Sequence, residues 1–106
     1  MTGTTDLVHR YFDLAAGADT DAYLDQFAAD AVVEDEGHEH HGLAAVRAWR
    51  HGAPPVTYTV REIVDHDGGH AAHTEIAGDF PGSPVALTFR FTFTGDGHVR
   101  TLSIRP

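Results

Sequence analysis

An α+β fold is predicted for this chain by three features of its sequence. Apolar residues recur mostly at three- and four-residue spacing in the first half and at two-residue spacing from Val56 onward, which segregates helices from strands. Val85, Leu87, Phe89, Phe91 and Phe93 alternate with Ala86, Thr88, Arg90, Thr92 and Thr94, so one sheet face is aromatic and must be covered. With 106 residues, the chain has room for one core, and residues 1–106 read as a single domain. The expected arrangement is three N-terminal helices packed in the concave face of a curved, mainly antiparallel sheet.

The first helix follows from Leu7, Val8, Tyr11, Phe12, Leu14 and Ala15, with Thr4 or Thr5 as cap and Gly17 as stop. A second helix, capped by Asp19 or Thr20, brings Tyr23, Leu24 and Phe27 together and is expected to end around Asp30. A short strand through Asp35 follows. Gly37 turns the chain, and His38–His41 form a brief return strand before Gly42. A third helix spans Leu43 to about His51, with Leu43, Val46, Trp49 and Arg50 on adjoining parts of its surface and Gly52, Pro54 and Pro55 at its end. VTYTVREIVD, HAAHTEIAGD, VALTFRFTFT and HVRTLSIR then read as four antiparallel strands separated by HDGG, FPGSP and GDG.

Composition excludes several classes of function. The formal charge is −9 with His neutral, and the seven cations are arginines scattered along the chain, which argues against nucleic acid and against an anionic membrane as partners. No cysteine is present, so disulfides and thiolate nucleophiles are out. Neither a basic, then apolar leader nor a run of about 18 apolar residues occurs, which leads us to expect an unexported, cytoplasmic protein. Arginine without lysine, alongside abundant Ala, Gly and Asp, is in keeping with GC-rich codon usage and a bacterial source. Nine histidines make the surface charge sensitive to pH below neutrality.

Asp35 is the principal candidate for chemistry. Strand alternation puts Ala31, Val33 and Asp35 on one face and Val32, Glu34 and Glu36 on the other, so Asp35 shares its face with apolar neighbours. Desolvation raises the pKa of a carboxylate so placed, which prepares it for proton transfer near neutral pH. The structural alternative is a carboxylate that fills a polar gap by bonding to Tyr11 or to a turn.

The order of these elements, with YF in the first helix, FAADAVVEDEG, HGLAAVRAW and FPGSPVALTFRF, resembles the nuclear transport factor 2-like (NTF2-like) superfamily over essentially the whole chain. Within it the chain is similar to the SnoaL-like branch and, locally, to ketosteroid isomerase. The resemblance implies a cone-shaped α+β barrel and a homodimer through the outer sheet face. It also implies Asp35, in AVVED, as general base and Tyr11, in HRYFDL, as oxyanion donor. The isomerases' second acid would fall near Phe89, where this chain has none. SnoaL-type cyclases use an acid from the late sheet, and neither Val85–Thr94 nor His98–Arg105 contains a carboxylate. Epoxide hydrolases of the superfamily need two sheet acids bridged by an arginine, and Arg90 lies on the face opposite the phenylalanines.

The expected ligand is a small apolar organic molecule, contacted by Phe12, Phe27, His40, Trp49, Phe89 and Phe91. Asp35 and Tyr11 are the expected catalytic pair of a cofactor-independent isomerase, cyclase or dehydratase. A non-catalytic ligand-binding module and a dimeric scaffold are the alternatives. The run His38–His41 suggests metal ligation, but neighbouring strand residues point to opposite faces, so a solvated turn is expected and no metal or organic cofactor is assigned. His40 is a possible polar partner of Asp35. His73, Glu75 and Arg90 are expected as cross-strand pairs on the outer face, Glu75 close to Arg90.

Overall fold

The computed structural model describes residues 4–52, 55–66 and 68–106. In chain order the elements are α1 (Thr4–Ala16), α2 (Thr20–Asp25), β1 (Phe27–Asp35), β2 (His38–His41), α3 (Leu43–His51), β3 (Val56–His66), β4 (Gly69–Gly78), β5 (Val85–Phe93) and β6 (Val99–Arg105). Pro54, expected to help end α3, and Asp67, in the β3–β4 connection, lie outside the described residues. Among the described residues, no helix is long and apolar enough to cross a membrane.

The six strands form one sheet in the order β2-β1-β6-β5-β4-β3. This corrects the expected cone-shaped barrel. A barrel requires hydrogen bonds between its two end strands. Here β2 and β3 stand at opposite edges, and the sheet neither closes nor curls strongly, so the concave face expected from the sequence is also corrected. The pairing is antiparallel except where β1 runs parallel to β6.

The helices cover one face of this sheet. Val8, Tyr11, Phe12 and Ala15 of α1, Tyr23 and Leu24 of α2 and Val46 of α3 join Val33, Ala72, Phe89, Phe91, Leu102 and Ile104 in the core. The phenylalanine row of β5 is thereby covered, with Tyr11 and Phe91 ring centroids 5.1 Å apart and Phe12 and Phe89 also 5.1 Å apart. Edge-on aromatic contacts of this kind add about 0.5–1.5 kcal/mol each to simple burial.

One helix boundary changes in detail. The second helix ends at Asp25, not near Asp30, because Phe27 leaves it to pair with Val99, while the Gln26 carbonyl accepts the Val99 N–H at 2.8 Å. Long-range strand pairing overrides the helical spacing of Tyr23, Leu24 and Phe27. In α3, Val46 is fully buried, whereas Leu43 is exposed and Trp49 and Arg50 are half-buried. Asp19 caps α2 as expected, its side chain accepting the Ala22 N–H at 3.0 Å.

On the outer face, His73 meets Thr88 as a cross-strand partner. Glu75 does not meet Arg90. The β4–β5 register sets Glu75 opposite Ala86, and its carboxylate instead pairs with Arg61 of β3 at 3.1 Å. The hairpin between β4 and β5 determines this register, since it places Ile76 opposite Val85 and carries Arg90 along to Ala71.

Candidate functional site

Asp35 ends β1, and the sheet register decides its surroundings. Its neighbours are Ile104 on β6 and His38 on β2, and Ile104 in turn pairs with Phe89 and Phe89 with Ala72. Asp35 is therefore the one acid in a row whose next members are Ile104, Phe89 and Ala72. Glu36 and Gly37 make the turn into β2 with φ of 53° and 78°. Two left-handed residues in a two-residue hairpin match the twist of the flanking strands, and glycine adopts this conformation without strain.

The half-buried Asp35 carboxylate is held by Trp49, whose Nε1–H donates to Oδ2 at 3.0 Å. A hydrogen bond to an ionised acceptor contributes about 1.5–3 kcal/mol net. Among the described residues, no donor reaches the second oxygen, Oδ1. His40 lies behind the indole, its ring centroid 6.1 Å from that of Trp49, and not on Asp35 itself.

A cavity of about 700 Å³ opens beside this carboxylate. Its polar side groups include Tyr11, Asp35, Trp49, Arg50 and Tyr58, and its apolar lining includes Val56, Ile76, Phe80, Val85, Leu87 and Phe89. A few polar groups set into a mostly apolar cavity wall is the usual form of a small-molecule site. Of the residues expected from the sequence, Tyr11, Asp35, Trp49 and Phe89 line this space together. Phe12, Phe27 and Phe91 sit in the core around Tyr11, and His40 packs on Trp49.

Tyr11 does not bond to Asp35. Its hydroxyl pairs with that of Tyr23 at 2.9 Å in a buried contact. Burial and the neighbouring Tyr23 hold the Tyr11 phenol well above its ordinary pKa, and burial raises that of Tyr23 too. Both therefore remain neutral at physiological pH. Arg50 lies over the Tyr23 ring, its guanidinium carbon 4.3 Å from the centroid, and donates from Nη2 to the Ala15 carbonyl at 2.6 Å.

Tyr23, Arg50 and Tyr58 are site neighbours that the sequence reading leaves out. Tyr58 shares its strand face with Val56 and Val60, and Arg50 shares the inward helix surface of Val46 and Trp49, so each had a local signal. Nothing local to Tyr23 shows that its hydroxyl meets that of Tyr11. Among the described residues, no group of three or more His, Asp or Glu side chains is arranged to hold a metal ion. The His38–His41 run instead carries an exposed pair between His41 and Glu39.

The SnoaL-like domain family matches residues 8–101. This chain belongs to the SnoaL-like family. The SnoaL-like chain is 36% identical to a Sinorhizobium meliloti protein named as a candidate polyketide cyclase, with 98% of this chain and 100% of that one covered and a TM-score of 0.87. It also shares its fold with SalBIII, an epoxide hydrolase/cyclase-like enzyme of pyran ring formation in salinomycin, at 19% identity, 96% and 88% coverage and a TM-score of 0.84. A Catenulispora acidiphila protein with a ketosteroid isomerase-like fold, solved with trimethylamine, matches at 17% identity, 98% and 87% coverage and a TM-score of 0.81. No curated protein matches the chain.

Proposed function

We propose that this SnoaL-like protein binds a small, mostly apolar organic molecule in the 700 Å³ cavity and abstracts a proton next to a carbonyl, with Asp35 as base. The observation that carries this reading is the Asp35 carboxylate at the cavity wall, oriented through Oδ2 by the Trp49 N–H while Oδ1 keeps its lone pairs for a substrate. Proton abstraction leaves negative charge on the carbonyl oxygen. Tyr11, neutral and lining the same cavity, is the hydrogen-bond donor for that oxygen, and the Tyr23 hydroxyl supports it from behind. The Arg50 guanidinium adds a positive field. Return of the proton from Asp35 to another carbon completes an isomerisation; in a cyclisation the enolate carbon attacks a second carbonyl, and the proton from Asp35 goes to the alkoxide that this forms. The 36% identity to a candidate polyketide cyclase supports this class of carbon-acid chemistry.

A panel of β,γ-unsaturated ketones tests the proposal, because shifting the double bond into conjugation produces an ultraviolet signal. Turnover is expected from the native protein and background rates from Asp35→Asn with its circular dichroism unchanged. Equal turnover by the two proteins removes Asp35 from the mechanism. Binding of the same ketones without turnover by either protein selects the non-catalytic ligand-binding module. We also propose a homodimer through the outer sheet face, which light scattering checks, and a cytoplasmic location, which cell fractionation checks.

A further inference from the structure

Arg50 gives the cavity a property that its apolar walls do not require. It is half-buried in the last turn of α3 and lines the cavity, yet among the described residues it has no ion-pair partner. The chain has 16 acidic residues for seven arginines, so an acid for every arginine was available in composition. Arg47, Arg61 and Arg105 do take one each, respectively Asp21, Glu75 and Glu34, whereas Arg10 bonds to the Gly97 carbonyl and Arg90 and Arg100 are exposed, so among the arginines without an acidic partner in the described residues Arg50 is the one that lines the cavity. Arg105 also borders the cavity, but Glu34 neutralises it through two hydrogen bonds. Among the described residues, Arg50 bonds only to the Ala15 carbonyl and stacks on Tyr23, contacts that fix its position without cancelling its charge. A cation withdrawn from water is costly unless an anion meets it.

We infer that the ligand of this cavity carries a carboxylate, which pairs with Arg50 while its apolar body lies along Val56, Ile76, Val85 and Leu87. This rests on reading the cavity as the ligand site and adds the charge and polarity of the occupant. The guanidinium has five N–H donors, of which one serves Ala15, so donors remain for a carboxylate. Asp35 and Arg50 share the cavity without forming an ion pair with each other.

Octanoate and octanamide, equal in apolar body and different in charge, separate the two aspects of the proposal. Trp49 is the only tryptophan, so its fluorescence reports occupancy beside Asp35, and calorimetry measures affinity. The native protein is expected to bind octanoate about tenfold or more tighter than octanamide, with the preference reduced by salt. Arg50→Gln is expected to bring the two affinities together. Arg50→Lys should retain an intermediate preference, and it decides the matter with the salt series if Arg50→Gln does not fold. In Asp35→Asn the preference should grow, because a like charge has been removed. Equal binding by the native protein, or an unchanged preference in the Arg50 variants, overturns the carboxylate inference and leaves the cavity as a site for neutral ligands. Failure of both compounds to bind overturns the carboxylate inference together with the ligand site.

Discussion

Glu34 and Asp35 are adjacent acids on β1 whose side chains lie on opposite faces of the sheet, and the two faces give them opposite company. Glu34 points to the outer face, where Arg105 donates from Nε and Nη2 and Ser103 from its hydroxyl. These partners hold its carboxyl below the ordinary glutamate range, the Arg105 and Ser103 hydrogen bonds being the main causes. Asp35 points to the helix face, where one indole N–H holds one oxygen, no donor among the described residues reaches the other, and the side chain lines a mostly apolar cavity. A carboxylate with every oxygen engaged is a structural group. One with an open oxygen beside a cavity is available for a ligand.

The sharpest way to break this comparison is to neutralise each acid in turn. Asp35→Asn is expected to lower turnover of the reactive ketone by about 10²–10⁴-fold, the usual contribution of a general base, with little change in melting temperature. Glu34→Gln should leave turnover intact, and equal losses from the two variants would end the distinction. Next in size is Trp49→Phe, which removes the donor to Oδ2. A loss of about 1.5–3 kcal/mol in urea unfolding is expected, the value of a hydrogen bond to an ionised acceptor, together with a smaller fall in turnover than Asp35→Asn produces.

An alkaline titration sharpens the same contrast on the inner face. The Tyr11 and Tyr23 phenols have pKa values raised by burial, so above the unfolded value of about 10 the unfolded chain loses protons that the native state keeps. Their contribution is complete below that pH and is lost as pH rises toward the folded values. Stability measured by denaturant unfolding should therefore fall above about pH 10, and the double variant Tyr11→Phe, Tyr23→Phe should flatten that fall. The smallest effect belongs to the outer face. Because Glu34 is held below its ordinary pKa, its contribution is present above the glutamate range and lost as pH falls through the folded value. Arg105→Gln should raise the Glu34 titration midpoint seen by NMR, while salt screens most of any stability change.

The extent to which this site was legible depends on the range of each interaction. Alternation alone placed Ala31, Val33 and Asp35 on one face, and the structure buries the first two completely and half-buries the third. It also placed Arg90 away from the phenylalanine row, as its exposure bears out. Pairing across elements was not legible in the same way. Glu75 was expected beside Arg90 and meets Arg61, because register is set by a whole hairpin and not by proximity along the chain. Tyr11 was expected as a possible partner of Asp35 and meets Tyr23, because the approach of α1 to α2 decides which hydroxyls touch.

The sequence by itself determined the α+β class, the three helices, the strands of the second half and the face on which Asp35 lies. These follow from periods of 3.6 and 2, which any short window of residues expresses. Only the tertiary structure decided that the sheet stays open, that β1 runs parallel to β6, that Trp49 holds Asp35 and that Arg50 reaches the cavity without an acidic partner among the described residues. The reason is physical. Sheet closure, register and hydrogen-bond partnership depend on how elements far apart in the chain are placed against one another, and local spacing carries no record of that placement.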